Sequence, residues 1–269
     1  SATYFVLFFG AARAGVVMVP IGWRLAEPEA AFIIDNAEAK LLFLGEGFEA
    51  CAATLGKRPG LQRCFTVAQA QAEVIAAPRA PFTPSTADEA VLQLYTSGTT
   101  GNPKGALGTH RNLTSNILSS GFAAARSVLR RENALPEPAK KVLLTVIPLF
   151  HATACSATLM GAIAGGHTIV LMYKWDPVQA FGIIEREKVN ATGGVPTIAW
   201  QLIEHPERVN YDLSSIESIG YGGAPSAPEL VRKIHEVFGA LPGNGWGMTE
   251  TSATVTTHSA EDYLNRPTS

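Results

Sequence analysis

The sequence predicts an α/β fold with largely parallel sheets, and three observations carry that prediction. Strand-like and helix-like stretches alternate along the chain. The two clearest strands, 141–150 and 167–172, are almost uniformly apolar, as strands covered on both faces must be. Chemically versatile residues gather in loops that follow strands, where open α/β sheets bind their ligands.

Taken in order, residues 3–14 read as a buried helix stopped by Gly15, and 16–20 as a short interior strand. Glu27, Pro28 and Glu29 open a second helix through Asn36, with Pro28 in the first turn where its missing N–H costs nothing. Residues 40–44 return as a strand. Between 76 and 88, Pro78, Pro81 and Pro84 mark an extended connector and a boundary between structural halves, before an apolar strand at 91–95. Asn112 is placed to cap a helix running to about Arg130, and 133–140 reads as an exposed loop. An Ala/Met helix separates the two apolar strands. Asp176 and Gln179 flank Pro177 as a capping-box-like pair, opening a helix with the stripe Val178, Phe181 and Ile184. After a strand at 216–219, Ser226 with Glu229 predicts a second capping box, opening a helix with Leu230, Ile234, Val237 and Phe238 on one face.

Composition narrows the function. A chain of 269 residues, 46% hydrophobic, can bury a sizeable core as one large or two small domains. A formal charge of -2, with no Lys/Arg cluster among aromatics, excludes a nucleic-acid backbone as partner. Cys51, Cys64 and Cys155 are odd in number and lack metal-binding spacing, so they read as reduced residues of a cytoplasmic protein. Arg13 splits the apolar opening into runs too short to cross a membrane, so no transmembrane span is expected. The chain lacks an initiating Met, and we expect a fragment at its N-terminus.

One stretch carries the chemistry. The strand at 91–95 empties into Thr96-Ser97-Gly98-Thr99-Thr100-Gly101-Asn102-Pro103-Lys104-Gly105, a cradle for phosphate by composition. Gly98, Gly101 and Gly105 are expected to take positive φ and let backbone N–H groups converge on an anion. The hydroxyls add donors or metal ligands, and Lys104 adds a mobile positive charge. It is not a Walker A loop, because Pro103 precedes the lysine and Gly105 follows it where Ser or Thr would open a helix. Later loops offer His151 beyond Phe150, the Gly193-Gly194-Val195-Pro196-Thr197 turn, Gly220-Tyr221-Gly222-Gly223-Ala224-Pro225, and Asn244-Gly245-Trp246-Gly247-Met248-Thr249-Glu250-Thr251. The third has the wrong glycine spacing for a dinucleotide fingerprint.

The string from Tyr95 to Gly105, with Thr109-His110-Arg111-Asn112-Leu113, resembles the signature of the adenylate-forming superfamily: acyl-CoA synthetases, aryl-CoA ligases, luciferases and peptide-synthetase adenylation domains. Residues 12–20 and the four later loops continue the resemblance. It implies a layered α-β-α fold, with 1–269 as part of a large N-terminal adenylation domain, incomplete at both ends and lacking the C-terminal lid domain. It further implies that Thr96 to Lys104 hold the phosphates of ATP and that Gly223, Ala224 and Pro225 lie along the adenine edge. By the same resemblance Trp246, in place of the commoner tyrosine, would stack on adenine among Asn244, Gly245, Gly247 and Met248; Thr249 would contact the α-phosphate, and Glu250 with Thr96 would hold Mg²⁺. The acyl pocket would comprise His151, Ala152, Thr153, Ala157, Gly194, Val195 and Pro196, with His151 beside the substrate carboxylate. No acidic residue follows Phe150 to pair with an amino-acid ammonium, which favours an uncharged fatty or aryl tail. The implied activity is ATP-dependent acyl-adenylate formation followed by thioester formation with CoA. Another acceptor, such as a carrier-protein thiol or luciferase-like chemistry, or a non-catalytic nucleotide-binding module, is the alternative, and a homodimer is left open.

Overall fold

The computed structural model describes residues 2–78, 82, 84–97, 101–129 and 140–268. They form two compact units, 1–110 and 111–269.

In the first unit, α1 (Ala2–Arg13) ends where Gly15 takes φ +66°, the left-handed value that turns the chain out of the helix. The strand expected at 16–20 shrinks to one parallel bridge, Met18 to Leu92, in which the Met18 N–H donates to the Val91 carbonyl. Pro20 has no N–H with which to extend the ladder. Helix α2 (Glu27–Asn36) has Pro28 in its first turn as expected, and the Glu29 carboxylate accepts from the Ala26 N–H at 2.8 Å. Strands β1 (Leu41–Leu44) and β2 (Arg63–Thr66) pair in parallel over a core that includes Ile34, Leu42, Leu44 and Leu55. Helix α3 (Val67–Ala76) is held by a true capping box: the Gln69 N–H donates to Thr66 Oγ1 at 3.2 Å, and the Thr66 N–H to Gln69 Oε1 at 2.8 Å. Strands β3 (Ala90–Thr96) and β4 (Lys104–Thr109) form an antiparallel hairpin.

Helix α4 (His110–Leu129) follows β4 without a loop, so Asn112 lies inside the first turn and is not its cap. The loop expected at 133–140 falls almost wholly outside the described residues.

The second unit holds a six-stranded sheet of β5 (Val142–Thr145), β6 (Thr168–Leu171), β7 (Ala191–Gly194), β8 (Ser218–Gly222), β9 (Leu241–Met248) and β10 (Ala253–Ser259). Their order is β10-β9-β8-β7-β5-β6; all neighbours are parallel except β10, which runs antiparallel to β9. Strand β5 is shorter than the apolar run 141–150 predicts. Pro148 interrupts the extended chain and its carbonyl accepts from the His151 N–H at 3.0 Å, folding the run's end into a turn.

A π-helical turn, Thr153–Leu159, and α5 (Met160–Ala164) carry the chain from β5 to β6. Helices α6 (Pro177–Glu187), α7 (Pro196–Glu204) and α8 (Pro228–Phe238) connect the strands on the other side, and α9 (Ala260–Asn265) follows β10. Asp176 caps α6 as expected, accepting from the Gln179 N–H at 2.8 Å. At α8 the cap position is Ala227, because Pro228 occupies the first turn, and the Ser226 hydroxyl donates instead to the Ala227 carbonyl at 3.3 Å. Leu144, Phe181, Ile184, Leu202, Ile219, Leu230 and Ile234 form the buried core between the sheet and α6 to α8.

The chain leaves β5 first towards β6 and then returns to its other side at β7. Right-handed crossovers in opposite directions put their helices on opposite faces, and the crevice at the reversal is where such sheets bind ligands. Among the described residues no helix is long and apolar enough to cross a membrane.

Candidate functional site

In the first unit, Thr96 ends β3 and Lys104 begins β4, and the two are register partners across the hairpin. The sequence therefore brings a hydroxyl and a cation to the mouth of one loop. Lys104 and Ser97 are exposed. Gly98, Thr99 and Thr100 lie outside the described residues. Gly101 takes φ +122°, as the cradle requires, whereas Gly105 lies within β4 and not at positive φ. A Cβ there would meet the end of the Gln93 side chain across the hairpin, which would have to move aside. The Tyr95 hydroxyl donates to Asn36 Oδ1 at 2.6 Å and ties β3 to α2, while burial raises its pKa.

In the second unit, a cavity of about 410 Å³ opens over the carboxyl ends of β5, β7, β8 and β9, at the reversal in strand order. Register explains its shape. Leu144, Thr192 and Ile219 are partners across β5, β7 and β8, and Leu144 and Ile219 face the core under α6 to α8. The next row, Thr145, Gly193 and Gly220, therefore faces the opposite side, and two of its three positions have no side chain. The sheet surface there is nearly bare. Gly193 cannot be otherwise, since a Cβ would overlap the Gly220 carbonyl.

Several expected site residues meet around this space. His151, Ala152 and Thr153, at the entry to the π-helical turn, form one wall; Gly194 and Gly223 lie at the strand ends; Gly245, Trp246, Gly247, Met248 and Thr249 form another wall. These last five belong mostly to β9 itself, so the aromatic motif is an extended strand and not a loop beyond one. Trp246 is 58% exposed, and flanking glycines leave its ring uncrowded. Desolvation by the enclosing walls lowers the pKa of His151, whose ring lies 4.7 Å from that of Phe150. Among the described residues no Asp, Glu, Lys or Arg lines the cavity, which suits an uncharged ligand body.

Ala157, Val195, Pro196, Ala224, Pro225, Asn244 and Glu250 do not line it. Pro196 is buried as the first residue of α7, and Val195 is exposed. Asn244 donates to the Tyr263 hydroxyl at 3.4 Å, which also accepts from Tyr221 at 2.9 Å; burial raises the Tyr221 pKa. Glu250 sits in the short turn Thr249–Thr251, beside Thr249 of the wall, exposed and without an ion pair or hydrogen bond from another described residue. The Thr251 hydroxyl fastens that turn, accepting from the Met248 N–H at 3.1 Å. Among the described residues no cluster of three His, Cys, Asp or Glu forms a dedicated metal cage.

Sequence reasoning missed Thr145, Thr158, Ala253 and Thr254, all of which line the cavity. The signal for Thr145 was present: it is the one hydroxyl in the apolar run Val142-Leu-Leu-Thr-Val-Ile147.

Comparison with known proteins identifies the family and the fold. The family model described as AMP-binding enzyme matches residues 1–269. A long-chain-fatty-acid–CoA ligase, FadD13 of Mycobacterium tuberculosis, is 30% identical over 99% of this chain and 51% of its own length. A feruloyl-CoA synthase of Amycolatopsis is 32% identical over 94% of this chain and 48% of its own. The chain thus spans about half the length of these relatives. The inhibitor-bound crystal structure of the N-terminal domain of FACL13 from Mycobacterium tuberculosis superposes with a TM-score of 0.86 at 26% identity, covering 99% of this chain and 65% of that one.

Proposed function

The chain belongs to the AMP-binding enzyme family, and from that premise we propose that it activates a fatty or aryl carboxylic acid with ATP and passes the acyl group to CoA. In the first step a carboxylate oxygen attacks the α-phosphorus of ATP and pyrophosphate leaves, giving an acyl-adenylate. In the second the CoA thiol attacks the acyl carbon and AMP leaves. The observation that carries the reading is the cavity: uncharged, at the strand-order reversal, with His151, Trp246 and Thr249 on its walls.

Each group then has a task. The attack brings two anions together, so donors and cations must offset their repulsion. Lys104 and the hydroxyls from Thr96 to Thr100 would hold the departing phosphates. Trp246 offers an open ring face for adenine. Thr249 would donate to the α-phosphate, and His151, kept largely neutral at pH 7 by its lowered pKa, would orient the carboxylate without neutralising it. The unpartnered Glu250 carboxylate fits Mg²⁺, which is commonly held by one or two carboxylates together with substrate phosphates and not in a protein cage. Glu250 and Thr96 would hold that ion, which when bound draws charge from the phosphate oxygens. We read residues 1–269 as part of an N-terminal adenylation domain. Cys51, Cys64 and Cys155, none of them in a disulfide, suit a reducing compartment such as the cytoplasm.

The test is acid-dependent exchange of labelled pyrophosphate into ATP by the full gene product. We expect Glu250→Gln to cut exchange roughly 30- to 1000-fold while leaving the melting temperature unchanged, because the amide keeps the shape and loses the charge. Nucleotide binding without exchange for any acid would instead identify a non-catalytic module.

A further inference from the structure

Asn116 lies on the inner face of α4 with 7% of its surface exposed, the only amide among the buried polar side chains of the described residues. Burying an amide costs stability unless it is hydrogen-bonded, and a leucine would fill the same place at no such cost. The bond it makes is a distant one: its Nδ2 donates at 3.3 Å to the carbonyl of Thr254 on β10, 138 positions along the chain. Thr254 lines the cavity, and the bond falls where the β9–β10 ladder slips, between Thr254 and Thr256.

The turn next to this bond is drawn tight. Met248 and Ala253 are register partners, so Thr249, Glu250, Thr251 and Ser252 form the loop of a hairpin. Ser252 takes φ +56° and Ala253 φ +88°, two successive left-handed residues with no glycine between them. Side-chain-bearing residues disfavour that conformation and keep it only where their surroundings impose it. The Ala253 carbonyl also comes so close to Gly247 that a Cβ there would overlap it. The Thr251 hydroxyl braces the loop from within, accepting from the Met248 N–H at 3.1 Å and lying 3.3 Å from the Ala253 carbonyl. Asn116 braces it from outside, at the residue after the strained pair.

We propose that Asn116 is a positioning residue: by fixing the Thr254 carbonyl it keeps the turn in its strained form, and so sets Thr249 on the cavity wall and Glu250 beside it. The assignment rests on the acid-activation reading and deepens it. Groups that meet charge developing in a transition state act best when already in place, because a loose donor must be ordered at the moment of reaction. Asn116 touches no substrate in this scheme and acts only through the β10 backbone.

The experiment uses the full gene product and two readouts: hydrogen exchange of the backbone amides of 248–254 without ligand, and the kinetics of acid-dependent pyrophosphate exchange. Asn116→Leu keeps the bulk and removes the donor. It should speed amide exchange in the turn roughly tenfold while the amides of 113–120 stay within about twofold. It should also cut kcat roughly 10- to 100-fold with KM for the acid within about twofold, as expected when only transition-state contacts are lost. Ser252→Gly loosens the same turn without touching α4. It should lower kcat in the same way and melt no lower than wild type, so the reading stands or falls even if Asn116→Leu folds poorly. Faster amide exchange with unchanged kcat would make Asn116 a purely structural residue and overturn the assignment. Unchanged amide exchange in the turn, or wild-type kcat in Ser252→Gly, would overturn it as well, and each of these outcomes leaves acid activation standing. Absence of pyrophosphate exchange by wild type with every acid would overturn both.

Discussion

A single side chain in this family fold can serve packing or ligand, and Trp246 shows how exposure decides between them. At 58% exposed it contributes little to any core, and its neighbours Gly245 and Gly247 cannot screen it. Trp246→Ala is therefore expected to leave the melting temperature nearly unchanged and to weaken ATP binding by about 1–3 kcal/mol, the usual worth of a base stacked on an aromatic ring. Trp246→Tyr should retain most of that affinity. Calorimetric titration with ATP checks both; an alanine variant that unfolds yet binds normally when folded would return the tryptophan to the core. At this scale residue type alone singled out His151 and Trp246, which lie on the cavity walls, and Glu250, which lies beside them outside the lining. Thr145 was half legible: a lone hydroxyl in an apolar run marks it, but that its register neighbours Gly193 and Gly220 have no side chains follows from strand pairing, which no local pattern carries.

Elements were legible where a local signal set the boundary. Pro28 and Pro177 in first turns, the Asp176 cap and the apolar stripe of α6 all act within a few residues, and α2 and α6 start where those signals put them. Longer-range causes were hidden. Pairing of Ala90 with Thr109 carries β4 up to α4 and displaces Asn112 from the cap position, and the Thr66–Gln69 box at α3 was present in the sequence but went unread. The π-helical wall Thr153–Leu159 has no sequence signature at all, although such turns often accompany functional sites. Two glycines of the sheet separate packing from function. A Cβ at Gly193 would overlap the Gly220 carbonyl, while one at Gly220 meets nothing within 4 Å. Gly193→Ala should thus cost about 1–3 kcal/mol or more in denaturant unfolding, as overpacking does. Gly220→Ala should fold at near wild-type stability and raise KM for the acid, because its methyl enters the cavity floor. Equal destabilisation by the two would refute the register argument.

Across the whole molecule, charge placement predicts how stability responds to pH. The hydrogen bond from Arg58 holds the Asp35 carboxyl below the usual range, Lys188 and then Ser214 do the same more strongly for Asp212, and Arg232 does so for Glu229. For each, the folded state binds its proton more weakly than the unfolded chain. The stability they supply is present above about pH 4 and is lost as pH falls through their folded values. The reverse holds for Lys188 and Lys233, whose pKa values are raised by Asp212 and Glu236: their contribution is full below about pH 10 and is lost as pH rises past their folded values. These pairs are exposed, so each effect is small and fades with salt. His151 acts between the two limits. Desolvation lowers its pKa, so below about pH 6.5 the unfolded chain takes up a proton that the fold resists, and stability declines. The melting temperature should accordingly be flat from about pH 7 to 8, fall slightly below about 6.5, and fall again below about 4. His151→Gln should abolish the first decline and spare the second, while about 1 M salt should blunt only the second, since screening reaches the exposed pairs and does not rehydrate the cavity. A wild-type melting temperature that rises as pH drops from 7 to 5, or a first decline that survives His151→Gln, would show that the cavity does not hold this histidine neutral.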